Sequence, residues 1–360
     1  MTHRYVLKDN YWKMRISHPY SMLCSSDDLA VSCGQAPIGE YGNVLFSGNL
    51  GKQTNQVIST MKQILSDGNL SNDDLERIVV FVSAQNDVDT KDYLNRFKQS
   101  APDSCTIFEV PLPPLFYDDL LLEVDYYAIP KRSINPNIST FSISLDIDIH
   151  SEHLSRSVQQ ELTNQCNENL KRKNLNWSNV VKISFFAPCK KYTFWESLES
   201  WRKSLPISPL PAVSDVVSEV SNHNQITIDV TCVTNPEWGD SRPIGKVLKG
   251  GHPEAICTGP LLFTSALYSE EDSASLSVTD EVTSIMQRYQ SLLASEGMSF
   301  NNVIKSTAFY DGFGSADALH ENMSARNQYY QIPGPGSTGL PVSNFPYPGK
   351  RTSIELIASS

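Results

Sequence analysis

Three stretches of the chain repeat one pattern of apolar and polar positions. They read TNQVISTMKQILSDGNLSNDDLERIVVFV (54–82), QQELTNQCNENLKRKNLNWSNVVKISFFA (159–187) and DEVTSIMQRYQSLLASEGMSFNNVIKSTAFY (280–310). When Asn72, Trp177 and Phe300 are aligned, the apolar residues upstream coincide at i, i+4, i+7 and i+8, with Asn169 as the one polar exception. This spacing is typical of a helix with one buried face. We therefore predict the same amphipathic helix three times.

Each predicted helix is followed by apolar stretches rich in β-branched and aromatic residues, which favour strands. These are ERIVVFV, VVKISFF and VIKSTAFY, and each copy then closes with an alternating stretch, LLLEVDYYAI (120–129), QITIDVTCV (225–233) or RTSIELIA (351–358). The second copy opens with FSISLDIDIH (141–150), whose strict alternation indicates a sheet with one wet face. The same order of helix, strand and closing strand in all three copies is evidence for a repeat.

The repeat predicts an α+β chain of three domains, at 1–130, 131–235 and 236–360. The breaks fall at 131–137, KRSINPN, and at 234–249, a stretch containing Pro and Gly of the kind that links compact units.

Composition narrows the possible partners and compartments. A net charge of −11 and the lack of a long Lys/Arg run argue against nucleic acid as a partner. No stretch approaches the roughly 20 apolar residues that span a bilayer, so no membrane association is expected. The seven cysteines are scattered without a C-x-x-C pair, so neither a zinc ribbon nor a disulfide framework is indicated and a cytoplasmic protein is expected. No P-loop or dinucleotide fingerprint occurs, and we expect no metal and no cofactor.

The segment HPYSMLCSSDDLAVSCGQAPIGEYGNVLFSGNLGKQTNQV carries a family likeness. Its Pro19–Tyr20 pair, the strand that ends in Gly34-Gln35-x-Pro37, the Gly-rich hairpin and the following helix resemble the Rid (reactive intermediate deaminase, YjgF-like) family. The likeness continues through SCTIFEVPLPP (104–114) to the closing strand, is looser in the third copy, and in the second copy rests on the order of elements alone.

The resemblance implies a fold and an assembly. Rid proteins are homotrimers whose sheets face a common centre, with helices outside and a small-molecule pocket in each cleft between subunits. The chain is accordingly expected to hold three YjgF-like (chorismate-mutase-like) α+β units, with helices outside a central sheet-lined barrel. It would be a monomeric pseudo-trimer, or a weak homodimer of pseudo-trimers, that binds a small-molecule substrate.

The resemblance also implies site residues in the first copy. Tyr20 matches the pocket Tyr, Cys105 the pocket Cys, and Glu123 the acid of the last strand that positions or deprotonates a water. Cys33 lies where the family usually has Ser. At the position of Glu123 the second copy has Thr227 and the third has Ser353.

The Arg with which these deaminases hold a substrate carboxylate, near the start of the penultimate strand, has no counterpart at that place. The position falls at Asp103 or Ser104 in the first copy, near Ala212 in the second and near Ser337 in the third. Arg326, in the second helix of the third copy, is a candidate to supply a guanidinium across the cleft. Ser337 and Thr338, with the backbone of 337–339, offer donors for an anion.

Each of these residues also has a purely structural interpretation. Tyr20 and Cys33 fit a core equally well, Glu123 fits a solvent-facing or Lys-paired position, and 337–339 fits a turn. His150 and His153 have no third ligand at a recognisable spacing. The aromatic run Tyr192, Phe194, Trp195 and Trp201 is typical of a core.

The function expected from the resemblance is enzymatic: deaminase- or hydrolase-type water addition, or proton transfer, on a reactive imine or enamine in a specialised biosynthetic pathway. The missing strand Arg suggests an altered substrate. A chorismatase-like hydrolase or lyase is an alternative, although Ser353 replaces the Glu that those enzymes use. A non-catalytic metabolite binder or scaffold is a third interpretation, and the acidic charge argues against an endoribonuclease.

Overall fold

The computed structural model describes residues 3–8, 11–83, 91–130, 137–218, 224–271, 276–312 and 315–360. Within them the strands form three sheets, each built from one continuous part of the chain. We call the three parts unit 1 (4–128), unit 2 (138–233) and unit 3 (242–359). The predicted break at 131–137 lies outside the described residues except for Asn137.

The strands have these bounds. Unit 1 contains β1 (Arg4–Val6), β2 (Leu23–Ser25), β3 (Ala30–Ser32), β4 (Leu75–Ser83), β5 (Thr106–Leu112) and β6 (Leu122–Ala128). Unit 2 contains β7 (Ile138–Asp146), β8 (Val180–Ala187), β9 (Ala212–Val217) and β10 (Gln225–Val233). Unit 3 contains β11 (Arg242–Val247), β12 (Pro253–Thr258), β13 (Leu261–Thr264), β14 (Val303–Asp311), β15 (Gly336–Val342) and β16 (Thr352–Ser359).

Six helices are found in the described ranges, two in each unit. They are α1 (Leu50–Asp67), α2 (Lys91–Gln99), α3 (Arg156–Arg172), α4 (Tyr192–Lys203), α5 (Val278–Ser295) and α6 (Ala316–Asn327). The predicted stripe is buried in the first helix of every unit, and side chains of Asn49, Ser155 and Ser277 cap the three N-termini. In α4 the aromatic residues Phe194, Trp195 and Trp201 are buried, as predicted.

The three units share one strand arrangement around their longest strand. In unit 1 the order is β6-β4-β5, in unit 2 β10-β8-β9 and in unit 3 β16-β14-β15. The closing strand pairs antiparallel with the long strand, and the strand that follows the second helix pairs parallel with it. In each unit the long strand therefore lies between the other two, with the closing strand on one side and the parallel strand on the other.

Each unit contacts the other two, and a buried ion pair crosses each of the three seams. The third residue of a long strand pairs with the acid in the closing strand of the next unit. The pairs are Arg77 with Asp229 at 2.6 Å, Lys182 with Glu355 at 2.9 Å and Lys305 with Asp125 at 2.9 Å. They link unit 1 to unit 2, unit 2 to unit 3, and unit 3 back to unit 1.

The structure corrects two expectations. The three sheets remain separate over the described residues and do not close into a barrel, since side chains and an isolated bridge between Ser21 and Gly336 link them instead of a continuous ladder. The predicted linker at 234–249 contains β11, which pairs with β12 because Ile244 places an apolar side chain toward the core.

Among the helices of the described residues, none combines the length and the apolar character that crossing a membrane requires.

Candidate active site

At the seam between units 3 and 1, the edge strand β15 of unit 3 lies against the segments just before β2 and just after β3 of unit 1. The backbone N–H groups of Ser21 and Gly34 donate to the carbonyls of Pro335 and Ser337, both at 3.1 Å. The hydroxyl of Ser21 also donates to the carbonyl of Gly334 at 2.8 Å. These bonds hold the segment after β3 against the start of β15, so that side chains from β6 and α6 converge beside them.

A pocket lies at this seam, and we call it the 3–1 pocket. Its enclosed volume is about 30 Å³, and with its opening it encompasses about 430 Å³ of empty space. Unit 1 contributes Trp12, Met14, His18, Tyr20, Ser21, Met22, Cys33, Gly34, Phe116 and Glu123, and unit 3 contributes Leu319, Met323, Arg326, Ser337 and Gly339. Five of the predicted site residues thus lie together: Tyr20, Cys33, Glu123, Arg326 and Ser337.

Glu123 presents a buried carboxyl group to the pocket. Its side chain is 3% exposed, and Oε2 has no hydrogen-bond partner. Burial, followed by the charge of Asp125, raises the pKa of Glu123 well above 4.5, although Lys305 opposes the shift. Gly34 makes the room for this group, because a Cβ at position 34 would overlap Oε1 of Glu123. Burial therefore favours the protonated form of Glu123, which can donate a proton.

Arg326 places a fully buried guanidinium at the same pocket. Nε donates to Oδ1 of Asn322 at 2.8 Å and Nη1 to the hydroxyl of Ser337 at 3.0 Å, whereas Nη2 has no partner. No carboxylate pairs with Arg326 in the part of the chain that the structure describes. A buried cation without a counter-charge is costly, so this one is suited to receive an anion.

Tyr20 and Cys33 line the pocket without being ionised. The Tyr20 hydroxyl lies beside Ser337 without a regular hydrogen bond, its ring faces Arg326 at 5.7 Å, and burial raises its pKa. Burial likewise raises the pKa of the Cys33 thiol, which receives a hydrogen bond from Nε2 of Gln35 at 3.0 Å. A protonated, enclosed thiol is a poor nucleophile, so Cys33 shapes the pocket rather than attacking a substrate.

Two predicted residues lie elsewhere. Cys105 immediately precedes β5, near Glu76, Arg77 and Lys173 at the seam with unit 2, and its pKa is raised to about 12, chiefly by burial. The strand order β6-β4-β5 explains this, because β5 is separated from Glu123 by the whole width of β4.

Thr338 points toward the interior rather than into the pocket. Its hydroxyl donates to Oδ1 of Asp125 and accepts from Nζ of Lys305, both at 2.6 Å. The stretch 337–339, which fitted a turn, is part of strand β15, so neighbouring side chains point to opposite faces.

The other two seams differ from the 3–1 pocket in their chemistry. Glu123, Thr227 and Ser353 lie opposite Phe81, Phe186 and Phe309 in the three units, so the alignment made from the sequence holds and only unit 1 has an acid at this place. The seam between units 1 and 2 is filled by the rings of Phe81, Phe108 and Phe186. No group of three or more metal-binding side chains occurs within the described ranges.

Sequence reasoning considered Gly339 only for its backbone and missed that its lack of a side chain leaves room beside Arg326 in the pocket. A Cβ at this position would lie 3.7 Å from Nη2 of Arg326 and 2.5 Å from Cδ1 of Leu319. The available signal was Gly336-x-x-Gly339 in a strand, since a glycine inside a strand often marks close approach of another group.

Comparison with known proteins agrees with this architecture. Residues 13–129 match the family model described as endoribonuclease L-PSP. No curated protein matches the sequence. The crystal structure of a chorismatase is similar over 80% of this chain and 94% of its own, with 13% identity and a TM-score of 0.55.

Single-unit proteins are also similar to the chain. A YjgF/YER057c/UK114 family member from Mycobacterium tuberculosis has 15% identity and a TM-score of 0.30 and covers 34% of this chain and 100% of its own. A putative endoribonuclease from Thermotoga maritima has 19% identity and a TM-score of 0.29 and covers 33% and 97%. The chain thus has the fold of a chorismatase over most of its length, and its residues 13–129 are similar to the family described as endoribonuclease L-PSP.

Proposed function

We propose that the chain is an enzyme that hydrolyses, or transfers a proton within, a small 2-imino or 2-enamino acid bound in the 3–1 pocket. One observation carries the proposal: Nη2 of Arg326 and Oε2 of Glu123 are both buried, both lack a hydrogen-bond partner, and both line the same pocket. Buried polar groups are nearly always satisfied, so unsatisfied ones at a pocket call for a ligand that satisfies them.

Arg326 binds the substrate carboxylate. The strand position at which Rid deaminases carry their Arg falls near Ser337 here, and the guanidinium of Arg326 donates to the hydroxyl of that serine from α6 at 3.0 Å. The fork is held by Asn322 and Ser337 on one side, which leaves Nη2 to the ligand. Arg326 in α6 therefore supplies the positive charge that strand β15 lacks.

Glu123 provides the acid and then the base. The neutral carboxyl donates its proton to the imine nitrogen, and the resulting carboxylate accepts a proton from a water molecule whose oxygen bonds to C2. Glu123 then gives this proton to the amino nitrogen and takes the proton of the new hydroxyl group as the C2–N bond breaks, so that ammonia and a 2-oxo acid leave and Glu123 is again protonated. The raised pKa of Glu123 suits the first of these steps.

The small pocket restricts the substrate. An enclosed volume of about 30 Å³ admits one or two waters or a group of few atoms. Larger side chains must lie in the opening or displace Met14 and Met323, which are flexible. We therefore expect activity to be highest with three- and four-carbon imino acids.

The test is ammonia release from 2-iminopropionate, generated in place by an amino acid oxidase and compared with spontaneous hydrolysis. We expect Glu123→Gln and Arg326→Gln each to lower kcat/KM by at least about 100-fold, as is usual for a general acid or a charged contact. Glu76→Gln is the matched control, because Glu76 is another carboxyl of raised pKa, at the seam with unit 2.

Lack of acceleration by the wild-type chain, or unchanged turnover in Glu123→Gln, would overturn the proposal. Saturable binding of pyruvate that requires Arg326, with no turnover of any imino acid, would instead support a non-catalytic metabolite binder. A chorismatase-like reaction has no acid at Ser353 to support it.

The ring of ion pairs between units supports a single-chain pseudo-trimer as the working form. Each unit contributes one cationic and one acidic side chain to this ring. All six are paired within the chain, so none of them requires a second copy.

A further inference from the structure

The seam between units 2 and 3 holds a second cavity, of about 240 Å³, which we call the 2–3 pocket. It is built on the same frame as the 3–1 pocket. Arg202 in α4 and Arg326 in α6 occupy the same place, equally far along the chain ahead of β9 and β15, and both are fully buried.

One strand position distinguishes the two pockets. Asp215 and Gly339 are both the fourth residue of their strands and lie opposite Phe185 and Ala308 of the long strands. Arg202 donates from Nη1 and Nη2 to the two carboxylate oxygens of Asp215, at 2.6 and 3.1 Å. At Gly339 there is no side chain, and Nη2 of Arg326 is left unpaired.

The cations that line the 2–3 pocket have contacts of their own: Lys249 lies over the ring of Tyr192 at 4.3 Å, and Arg288 and Lys350 have polar partners. Val213, Leu248, Ala266 and Leu267 form apolar walls. Arg288 is paired with Glu254 at 2.5 Å, and Lys350 donates to the carbonyl of Ser269 at 2.8 Å.

A neutral hydrogen-bonding group remains in this pocket. His252 is 4% exposed and lines the cavity, and its Nδ1 has no partner. Burial keeps its ring uncharged by lowering its pKa well below 6.5.

We propose that the residue at this strand position selects the charge of the ligand, so that the 2–3 pocket binds an uncharged, largely apolar small molecule through His252 and excludes carboxylates. The inference rests on the proposed function only for the 3–1 pocket, where Gly339 leaves the guanidinium to a carboxylate. In the 2–3 pocket Asp215 neutralises Arg202, whereas in the 3–1 pocket the carboxylate of the ligand neutralises Arg326.

The first test replaces Gly339, the residue at this strand position in the 3–1 pocket. Propionate and its uncharged isostere propionamide are the probes, and the concentration dependence of the melting temperature gives their affinity. Gly339→Asp should weaken propionate binding by at least about tenfold, because a charge-assisted contact is lost. Gly339→Asn has nearly the same shape without the charge and should stay within about threefold of Gly339→Ala.

The second test creates an anion site in the 2–3 pocket. Asp215→Gly is made in the Gly339→Asp background, so that the 3–1 pocket no longer contributes and a gain of propionate binding can be assigned to the 2–3 pocket. We expect saturable propionate binding that propionamide does not reproduce and that disappears when Arg202→Met is added. If Asp215→Gly does not fold, Asp215→Asn retains the shape of the side chain and should show the same gain more weakly.

The third test examines the wild-type 2–3 pocket with benzamide and benzoate in crystal soaks. We expect benzamide beside His252 and no benzoate there. Benzoate bound there as well as benzamide, or folded Asp215 variants that never bind propionate, would overturn the inference. The second and third tests use neither turnover nor Glu123, so a failure of the deaminase proposal remains distinguishable from a failure of this one.

Discussion

Nζ of Lys305 in unit 3 lies 2.9 Å from the carboxylate of Asp125 in unit 1, with both side chains almost fully buried. Asp125 is two residues from Glu123 on β6, so both point to the same face of the sheet. The ion pair that closes the seam therefore also sets the electrostatic environment of the candidate acid.

Breaking this pair should destabilise the protein strongly. Lys305→Met leaves Asp125 buried without its cation, and we expect a loss of about 3–5 kcal/mol in the free energy of unfolding, measured by urea titration. The double variant with Asp125→Asn should lose less than the sum of the two single losses. The exposed pair of Lys246 and Glu270 is the control, where Lys246→Met should cost at most about 1 kcal/mol. Equal losses at the two sites would contradict the ring as a stabilising feature.

Stability should depend on pH through Glu123. Its pKa is raised in the folded protein, so above pH 4.5 the folded chain holds a proton that the unfolded chain releases. The free energy of unfolding therefore falls as pH rises from there toward the folded pKa, by up to about 1.4 kcal/mol for each pH unit. Glu123→Gln removes this loss, so its stability relative to wild type should grow with pH. Parallel curves for the two proteins would show that Glu123 is ionised when folded.

Gly34→Ala should displace the Glu123 carboxyl, because the added Cβ would overlap Oε1. We expect a loss of about 1–3 kcal/mol in stability, as for other overpacked sites, together with loss of imino acid turnover. Gly51→Ala is the control: in α1 its Cβ would approach only Arg96, at 3.5 Å, and the change should stabilise the helix by about 0.5–1 kcal/mol. Full turnover in Gly34→Ala would mean that the position of Glu123 is not required.

Thiol labelling should separate Cys105 from the active site. Cys105 and Cys257 are half-buried and the other five cysteines are buried, so a disulfide reagent should modify these two first. Turnover should survive that labelling, and Cys105→Ser should remove one fast-reacting thiol without changing kcat/KM. Loss of turnover in proportion to the modification of Cys105 would show that this residue belongs to the active site after all.

The amino-acid sequence by itself determined the repeated units and named five of the residues that line the 3–1 pocket. Helix and strand periodicities are local, so the stripes of α1, α3 and α5 and the alternation of the closing strands could be predicted from spacing alone. The match of Glu123 with Thr227 and Ser353 follows from the same register and holds in the structure.

Tertiary structure alone decided which residues meet. Glu123 and Arg326 are far apart in the chain and come together because β15 of unit 3, and not β5 of unit 1, lies against the segment after β3 that contains Gly34. The same arrangement leaves Cys105 at another seam, and the packing of α6 against β15 within unit 3 places Gly339 beside the guanidinium of Arg326. Contacts across seams depend on how separate sheets pack, and side-chain spacing along one chain segment carries no information about that packing.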